Sequence, residues 1–560
     1  MLTPKFNVQP RSPVPLLPFM SLLLLCVALF FWQLDGYSLF NITEAKQAEI
    51  ARQIWVRHDW ITPVYNGDTY FDKPILLHWL IALGFPVVGL NEWAVRLPSA
   101  LSASALILGT YFFTAQFATQ RTALLAATIL AANPLTFALG RTGQHDMLMV
   151  CFMTGALYCW YWAYSTGTHW RYLAFFALLG LAVFAKGPLA LVLCGLAIAL
   201  FLLAVGQCKA QLIATPWLPG LLIFGSITLP WYILVIWANG WEFASNAFLY
   251  NNVDRFVSPN LNQVGPWYYY LPLLIIGFFP WIGLFPATWS TLRNRWAWLR
   301  LRYWRHRAPV QQINLFMVIW VLVVVLFMSA SATKLPWYIY PSFPAIAYLC
   351  AQAWEQQIEH SNRWLKLNLL ALSGLYLFLG IGLIVIPRLL PQTPILQSIE
   401  KAGTLQLWAI VHLITALVIG ISAVRKQVIW VWVISVITFS IIALDTVHQL
   451  TLLDRPFLGG RLLAIADILH QETCDTCVND VTIAPGVNEP SLNFYSRLSV
   501  IKRFDEPFDL SAIQIQLNQP KRILFVTTDE TLNKAGLDFS QEKPVYVSDI
   551  YKLFILPKHR

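Results

Sequence analysis

Charged residues are scarce in this chain: Asp, Glu, Lys and Arg together make up 12% of its 560 residues, against about 25% in soluble proteins. Hydrophobic residues make up 57%, so the chain cannot cover its surface with polar groups. This excludes a soluble domain, a disordered chain, a fibrous protein and a nucleic-acid-binding module. The composition is that of a protein embedded in a membrane, and its 25 Trp, 21 Tyr and 35 Phe can supply aromatic belts at the interfaces.

Cysteine is scarce as well, with eight residues in the chain. Six of them lie in or beside apolar stretches, where a free thiol packs like a small hydrophobic side chain. No internal repeat, low-complexity segment or cleavable signal peptide is recognisable. The first apolar run continues to Trp32 without a small-residue cleavage site, so we interpret it as a retained membrane span.

Long apolar stretches dominate the first four fifths of the chain. A helix needs about 20 apolar residues to cross a bilayer. Stretches near this length lie at 14–33, 98–118, 122–140, 147–165, 172–186, 188–206, 216–237, 267–289, 313–331, 336–354, 366–387, 405–424 and 427–445. We therefore predict a polytopic α-helical membrane protein with about thirteen transmembrane helices in residues 1–445, followed by a separate domain in residues 446–560.

The arginines predict how these helices are oriented. The loop 291–312 contains no acidic residue and carries Arg293, Arg295, Arg300, Arg302, Arg305 and Arg307. Because positive residues accumulate in cytoplasmic loops, we predict that this loop and the N-terminus are cytoplasmic. An odd number of spans then places residues 446–560 on the extracytoplasmic side.

We predict that residues 446–560 form a small extracytoplasmic α/β domain. A helical stretch lies near 460–470. Strand-like runs lie at 481–484, 522–526, 545–547 and 553–556. Cys474 and Cys477 form a CxxC motif there, and we predict a local disulfide because the compartment is oxidising. The strand and helix of a thioredoxin-like redox site are not recognisable around the motif.

Ionisable residues at the ends of apolar stretches are energetically costly, so their positions are informative. Seven fall on the predicted extracytoplasmic face: Glu44, Asp72, Lys73, Asp146, Lys186, Arg255 and Lys334. Lys and Arg neutralise a phosphate and stabilise the charge on a phosphate leaving group. A carboxylate can accept the proton of an attacking hydroxyl. Together these residues predict a site that holds an anion and moves a proton.

A structural interpretation of the same charges stays open. A single Lys or Arg at a span end more often anchors a helix in the interface than serves a site. Asp72–Lys73 and Asp254–Arg255 can also be local solvated ion pairs of little energetic value. If these residues were only anchors, however, they would not be expected to lie beside Gly-Pro and Pro-Trp-Tyr helix breaks on one face of the membrane only.

An ordered set of short motifs resembles one family of membrane enzymes over residues 15–355. The motifs are EAKQAEIAR at 44–52, DWITP at 59–63, NGDTYFDKP at 66–74, NEWAVRLP at 91–98, RTGQHD at 141–146, AKGP at 185–188, NVDRF at 252–256, PWYYYLP at 266–272 and KLPWYIYPSFPA at 334–345. In this order they resemble bacterial glycosyltransferases related to the protein O-mannosyltransferases and to the lipid A aminoarabinose transferase. Each motif alone is weak, and only the ordered set is specific.

The resemblance implies a polytopic glycosyltransferase of the GT-C type. Such enzymes take a sugar from a polyprenyl-phosphate donor and transfer it, with inversion, to an acceptor on the outer side of the membrane. We expect a bacterial plasma membrane and a lipid acceptor such as a lipid A-like glycolipid, with a protein acceptor as the alternative. The expected partners are therefore this donor, this acceptor and the membrane lipids.

The resemblance also implies roles for individual residues. The candidate catalytic carboxylates are Glu44 and Asp146. The residues expected to contact the donor phosphate are Lys73, Lys186, Arg255, Lys334 and Tyr338. The supporting residues are Thr43, Tyr70 and Asp72.

Two positions depart from the family pattern. The family's first loop usually carries Asp-Glu, whereas the pair here is Thr43-Glu44, and threonine cannot accept a proton at neutral pH. Either Glu44 or Asp146 is then the base, or the donor phosphate assists, or the acceptor differs. The usual Glu-Lys-Pro is Asp72-Lys73-Pro74, with a shorter carboxylate. No histidine cluster matches the metal ligands of some relatives, so no metal or cofactor is carried over, although a divalent metal stays open.

Two hypotheses from other classes compete with the enzyme. A secondary transporter or lipid flippase would predict charges near span centres, broken helices in paired positions and internal repeats. The charges here lie at span ends and no repeat is recognisable. A catalytically inactive scaffold derived from the same fold is motivated by Thr43.

Overall fold

The fold is given by a computed structural model that describes residues 15–244, 265–284, 301–359, 363–425, 427–457, 459–474, 481–504, 508–517, 522–537, 539, 541–548 and 550–556. Arg255, the Asp254–Arg255 pair and the predicted Cys474–Cys477 disulfide lie outside what is described. Arg293, Arg295 and Arg300 of the arginine-rich loop lie outside it as well.

Helices make up most of the described chain. The helices are α1 Leu16–Phe31, α2 Ala45–Arg57, α3 Leu76–Val88, α4 Glu92–Phe117, α5 Gln120–Ala131, α6 Pro134–Gly140, α7 His145–Thr166, α8 His169–Lys186, α9 Leu189–Val205, α10 Cys208–Ala214, α11 Trp217–Asn239, α12 Trp241–Ala244, α13 Tyr270–Gly277, α14 Leu301–Arg305, α15 Ile313–Ala330, α16 Phe343–Glu359, α17 Arg363–Leu389, α18 Pro394–Lys401, α19 Thr404–Arg425, α20 Val428–Phe457, α21 Leu463–Cys474, α22 Pro490–Ser496, α23 Leu510–Leu517 and α24 Asp529–Ala535. Short 3₁₀ helices lie at Trp281–Leu284, Pro309–Gln312, Pro336–Ser342 and Gly459–Leu462.

Seven helices among the described residues are long and apolar enough to cross a membrane: α4, α7, α11, α15, α17, α19 and α20. The chain is therefore a multi-pass membrane protein. Helices α5 and α6 together form an eighth candidate, bent by 65°. The bend has a local cause, because Pro134 cannot donate a backbone hydrogen bond and the Asn133 side chain caps the new helix by accepting from the N–H groups of Leu135 and Thr136.

The predicted count of thirteen spans is not confirmed. The stretches 14–33 and 188–206 coincide with α1 and α9, whose 16 and 17 residues are short for a span. The stretch 336–354 begins as a 3₁₀ helix before α16. Of the stretch 267–289, the described part is helical over Tyr270–Gly277 and Trp281–Leu284. Hydropathy therefore located apolar helices correctly but could not show which of them are broken.

The chain divides into two compact units. The first comprises residues up to 34, 71–77 and 96–449, and the second comprises residues 35–70, 78–95 and 450–560. In the first unit α7 packs against α8. Helix α7 also contacts α4, because the ring of Tyr158 on α7 stacks on Phe113 of α4 with the ring centroids 3.9 Å apart.

The second unit contains a five-stranded mixed sheet. Its strands are β3 Val481–Pro485, β4 Lys502–Phe504, β5 Ile523–Thr528, β6 Tyr546–Val547 and β7 Tyr551–Leu556, in the order β4-β3-β5-β7-β6. Strand β3 is parallel to β4 and β5, whereas β7 is antiparallel to β5 and β6. The four predicted strand-like runs are confirmed as β3, β5, β6 and β7. Strand β4 was missed because its three half-buried residues, two of them basic, show no apolar run. The hairpin β1 Val64–Tyr65 with β2 Asp68–Thr69 belongs to the same unit.

Candidate active site

A buried ion pair joins the ends of two packed helices in the first unit. Lys186 Nζ donates to Asp146 Oδ1, and both side chains are 10% exposed. Asp146 lies in the first turn of α7 and Lys186 is the last residue of α8. Each charge therefore lies at the helix end whose dipole favours it. Gly187 adopts φ +98° beside Pro188, which ends α8 directly after the lysine.

Tyr338 adds an aromatic face to this pair. Its ring centroid lies 5.2 Å from Lys186 Nζ, within the range of a cation–π contact. Tyr338 belongs to the 3₁₀ helix Pro336–Ser342, which is fixed in turn by the Tyr340 hydroxyl, 3.2 Å from Thr136 Oγ1. The structure thus brings together Asp146, Lys186 and Tyr338 from three distant sequence motifs.

Lys334 makes a different set of contacts from the other predicted donor-site residues. Its Nζ donates to the backbone oxygens of Ser329 at 2.9 Å and Ser331 at 2.6 Å. These carbonyls belong to the C-terminal end of α15, where a cation is favourable. The ammonium also lies 6.0 Å from the centroid of the Tyr270 ring. Burial lowers the pKa of Lys334, because desolvation disfavours its charged form.

Asp72 and Lys73 belong to the same unit as the ion pair. Both are half-buried in the segment 71–77. Phe71 packs edge-on against Phe243 of α12, with centroids 5.2 Å apart. Phe243 packs at 5.4 Å on Trp231, whose ring is 6.0 Å from Phe184 of α8. A continuous row of aromatic rings therefore connects the Asp72–Lys73 segment to the helix turn that ends at Lys186.

Glu44, Thr43 and Tyr70 belong to the second unit. Glu44 is fully buried just before α2, and its Oε2 accepts from the N–H of Phe40 at 3.0 Å. The N–H of Glu44 donates to the carbonyl of Phe40, also at 3.0 Å, so Glu44 closes the turn before the helix. Thr43 is half-buried. The ring of Tyr70 lies 4.8 Å from Lys46 Nζ.

The segment that carries Glu44 is held by C-terminal residues of the same unit. The buried Asp454 accepts from the Ser38 N–H at 3.1 Å and from the Ser38 hydroxyl at 2.6 Å. The Tyr495 hydroxyl accepts from the N–H of Leu39 at 2.8 Å. Sequence reasoning did not assign a role to Asp454 or Tyr495, and the available signal was an acidic residue near the end of a long apolar helix.

A second buried ion pair stiffens α2. Arg52 donates to both carboxylate oxygens of Glu49 at 2.7 and 2.8 Å, and Gln53 donates to Glu49 Oε1 at 2.7 Å. This bidentate geometry is the strongest arrangement for an arginine and a carboxylate. The spacing of three and four residues along a helix was a visible signal that sequence reasoning did not use.

Two buried arginines hold the end of α1 in the first unit. Arg141 donates to the carbonyl oxygens of Leu29 at 3.0 Å and Gln33 at 2.9 Å. Arg96 donates to the carbonyl oxygen of Leu34 at 2.7 Å. These contacts satisfy carbonyls that a helix end leaves without partners. Both arginines lie in motifs that predicted the site, but in the structure they hold the chain where it leaves α1.

His78 is a buried neutral group in the second unit. Its Nε2 lies 2.7 Å from the Gln47 side-chain oxygen and its side chain is fully buried. Burial lowers the pKa of His78 to about 3, because the charged imidazolium is not solvated there. His78 therefore joins α2 to α3 as a neutral hydrogen-bonding residue. Among the described residues no group of three or more His, Cys, Asp or Glu is arranged to hold a metal ion.

Solved structures of membrane glycosyltransferases share this architecture. The crystal structure of ArnT from Cupriavidus metallidurans bound to undecaprenyl phosphate superposes with a TM-score of 0.76 at 22% identity, covering 96% of this chain and 97% of that one. An oligosaccharyltransferase from Archaeoglobus fulgidus superposes with a TM-score of 0.51 at 11% identity, over 92% of this chain and 69% of that one. The fold is therefore that of the GT-C glycosyltransferases.

Within the GT-C glycosyltransferases, sequence comparison identifies the family of this chain. The family model "Dolichyl-phosphate-mannose-protein mannosyltransferase" matches residues 72–234. The chain is 30% identical over 418 residues to undecaprenyl phosphate-alpha-4-amino-4-deoxy-L-arabinose arabinosyl transferase 2 of Sodalis glossinidius, covering 73% of this chain and 72% of that protein. It is 29% identical to the corresponding transferase of Pectobacterium atrosepticum, where the match spans 65% of each chain. The chain belongs to the family of these arabinosyl transferases, although it matches slightly less than two thirds of the length of several members.

Proposed function

We propose that this protein transfers a sugar from a polyprenyl-phosphate donor to a lipid acceptor on the extracytoplasmic side of a bacterial plasma membrane. The observation that carries the proposal is the buried Asp146–Lys186 pair beside the Tyr338 ring. Family membership supports the chemistry, because the relatives are named for an undecaprenyl-phosphate-linked aminoarabinose donor. A sugar linked to undecaprenyl phosphate is accordingly the donor that we propose.

The ion pair accounts for both requirements of the reaction. Lys186 can exchange the carboxylate of Asp146 for the phosphate oxygens of an arriving donor, since an ammonium pairs with either. Asp146 is then released to accept the proton of the acceptor hydroxyl. The acceptor oxygen forms a bond to the anomeric carbon while the bond from that carbon to the phosphate oxygen breaks, with inversion. Lys186 stabilises the charge that develops on the departing polyprenyl phosphate.

Other residues complete the proposed site. We propose Lys73 as a donor-phosphate contact, because its segment connects through a row of edge-on and tilted aromatic rings to the turn that ends at Lys186. Lys334 and Tyr338 are proposed to line the same donor site, and Arg255 keeps the donor role that its motif predicts. Glu44 stays the alternative base, and Thr43, Tyr70 and Asp72 keep the supporting roles that their motifs predict.

The proposed topology follows the predicted one. The N-terminus is cytoplasmic, about thirteen transmembrane helices lie in residues 1–445, and residues 446–560 form an extracytoplasmic domain. The support is the cluster of arginines in the loop 291–312 and the bias of positive residues toward cytoplasmic loops.

A protein acceptor is the second candidate function. The family model that matches residues 72–234 describes protein mannosyltransferases, which favours this alternative for the acceptor but leaves the donor chemistry unchanged.

Mass spectrometry of lipid extracts tests the proposal. Cells that lack the gene are expected to accumulate one polyprenyl-phosphate sugar, while a glycolipid loses the mass of that sugar. Complementation with Asp146→Asn or Lys186→Met should restore less than about 1% of the product, because a base or a phosphate contact is removed. The control Lys534→Met alters an exposed lysine paired with Glu530 and should restore the product fully.

Two outcomes would contradict the proposed function. Unchanged lipid pools, with the protein expressed, would exclude lipid glycosylation, and a mass loss confined to proteins would establish the protein acceptor. Full complementation by Asp146→Asn would exclude Asp146 as the base and transfer that role to Glu44.

A further inference from the structure

A polar cavity lies where the long helix α20 ends. It has a volume of about 400 Å³ and is lined by residues of the second unit alone. Its charged lining residues are Arg455 in the last turn of α20, Arg461 in the following 3₁₀ helix, and Asp467 on α21. Such a volume is within the range of small-molecule sites.

Neither arginine has an ion-pair partner among the residues that the structure describes. Arg455 is exposed and Arg461 is half-buried. Arg461 donates through Nε to the carbonyl of Pro456 at 2.9 Å, and its guanidinium lies 5.9 Å from the Phe457 ring. These contacts orient the guanidinium but use only one of its five N–H donors. Two like charges therefore face one cavity with donors left to bind an anion.

Gly460 lies in the turn between the two arginines and packs closely against Asp454. A Cβ added there would lie 2.6 Å from Asp454 Oδ2 and 2.9 Å from the Asp454 backbone carbon. The Gly460 N–H donates to Asp454 Oδ1 at 3.3 Å, so the turn is tied to a buried carboxylate. A side chain at this position would displace Asp454, so the glycine keeps the turn that carries Arg461 close to the end of α20.

The location of the two arginines relative to the membrane is a second observation that indicates an anion site. On the proposed topology the end of α20 is extracytoplasmic, where positive residues are depleted. Two arginines within seven residues depart from this bias. The 30-residue helix α20 is about 45 Å long, which exceeds the ~30 Å hydrocarbon core. Its last turn can therefore reach the region of lipid headgroups.

We propose that this cavity binds a phosphate group of a membrane-lipid headgroup through Arg455 and Arg461. Arginine is suited to this ligand because its planar fork presents two parallel N–H donors to phosphate oxygens. The site is separate from the proposed donor site, which uses Lys186 in the other unit. The inference rests on the proposed topology but not on the transfer reaction.

Native mass spectrometry of the full chain in detergent tests the proposal. Phosphatidic acid is the probe and diacylglycerol, with the same tails and no phosphate, is the comparison lipid. A Lys186→Met background weakens the donor site, so that the remaining phosphate-dependent binding is measured. The double variant Arg455→Gln/Arg461→Gln should bind phosphatidic acid at least about tenfold more weakly, since charge-assisted hydrogen bonds are lost. Diacylglycerol binding should not change.

Arg388→Gln is the matched control. Arg388 is likewise an exposed arginine in the last turn of a membrane-spanning helix, α17, and is not among the residues that line the cavity. Its replacement should change binding less than twofold. Equal losses in the double variant and in Arg388→Gln, or no loss in either, would overturn the proposal and identify both arginines as interface anchors.

Three further measurements test the ligand and the groups that bind it. Displacement of phosphatidic acid by millimolar inorganic phosphate would assign the cavity to soluble phosphate compounds and overturn the lipid source, whereas retention of the lipid would support it. Asp467→Asn should strengthen phosphate binding, because it removes a carboxylate whose negative charge repels the phosphate. Because no donor sugar is present, failure here is distinguishable from failure of the proposed transferase, and Arg455→Lys/Arg461→Lys should retain partial binding if the variants fold.

Discussion

A buried lysine and a buried aspartate stabilise each other only while both stay charged. Removing one partner leaves an uncompensated charge that can cost several kcal/mol, so Asp146→Asn alone changes stability as well as chemistry. The double variant Asp146→Asn/Lys186→Met removes both charges and should restore stability without restoring activity. Comparing the single and double variants therefore separates the structural role of the pair from its role in transfer.

Individual residues were predictable where their charge was unusual for its place in the chain. Asp146 and Lys186 were selected as candidates because ionisable groups beside apolar stretches are costly, and the structure pairs them. Arg96 and Arg141 were not assigned a role, because their partners are backbone carbonyls at the end of α1, and the sequence does not reveal which carbonyls lack partners. Asp454 was missed for a related reason, since Ser38 is more than four hundred residues away.

His78 provides a pH-dependent prediction at the residue scale. Its pKa is about 3 in the folded protein and about 6.5 in an unfolded chain. Above pH 6.5 both states are neutral and the full stability is present. As the pH falls below 6.5 the unfolded state takes up the proton, and stability decreases by about 1.4 kcal/mol per pH unit until the pH approaches 3.

Thermal unfolding in detergent between pH 7.5 and 5 checks this. The melting temperature of the wild-type protein should fall as the pH is lowered over that range. The melting temperature of His78→Gln, whose side chain cannot titrate, should fall less. A parallel decrease in both proteins would mean that other groups dominate the pH dependence and that His78 is not a buried neutral residue.

At the scale of elements, helix breaks place functional groups at helix ends. Gly187 and Pro188 end α8 after Lys186, and Asn133-Pro134 separates α5 from α6. These breaks are visible in the sequence as glycine and proline. The 3₁₀ helix Pro336–Ser342 was predicted as part of a continuous span, because its composition is as apolar as that of a regular helix.

The segment 38–44 is held in place by elements far away in sequence, and Asp454→Asn tests this. The substitution weakens two hydrogen bonds to Ser38 and one to Gly460. Loss of a buried charged acceptor should cost about 1–3 kcal/mol locally. Amide hydrogen exchange of the peptide covering residues 36–48 should become at least about fivefold faster, because local opening is then easier.

Tyr495→Phe provides a graded comparison, since it keeps the ring but removes the hydroxyl that accepts from the N–H of Leu39 and donates to Glu92. Its effect on exchange should be smaller and in the same direction. If Asp454→Asn leaves exchange at residues 36–48 unchanged, the turn before α2 is held by its own Glu44–Phe40 hydrogen bonds instead.

For the whole molecule, the sequence predicted the class of protein better than it predicted which distant segments contact one another. Composition alone indicated a membrane protein, and the ordered motifs indicated the GT-C class. The grouping of residues 35–70 and 78–95 with the C-terminal residues was not predicted, because such long-range contacts leave no periodic signal. The strands β3, β5, β6 and β7 were recognisable as strand-like runs in the sequence, whereas their order in the sheet was not.

The predicted topology makes a prediction about the two sides of the membrane. Five predicted spans separate the arginine-rich loop from the C-terminal domain. An odd number between them places the two on opposite sides, whereas an even number would place them on the same side. A cysteine at the exposed position Glu542 should therefore react with a membrane-impermeant maleimide in cells whose plasma membrane is intact and whose outer layers let the reagent through. A cysteine at the exposed position His306 should react only after the membrane is disrupted.

Both substitutions are made in a chain with Cys474→Ser and Cys477→Ser, so that the predicted disulfide pair does not contribute labelling. The six remaining cysteines are buried or half-buried, and the chain without an added cysteine measures their background. Labelling of both sites only after the membrane is disrupted would mean that an even number of spans separates them and that residues 446–560 are cytoplasmic. It would also remove one of the two observations behind the phosphate cavity, because Arg455 and Arg461 would then follow the ordinary bias toward the cytoplasm.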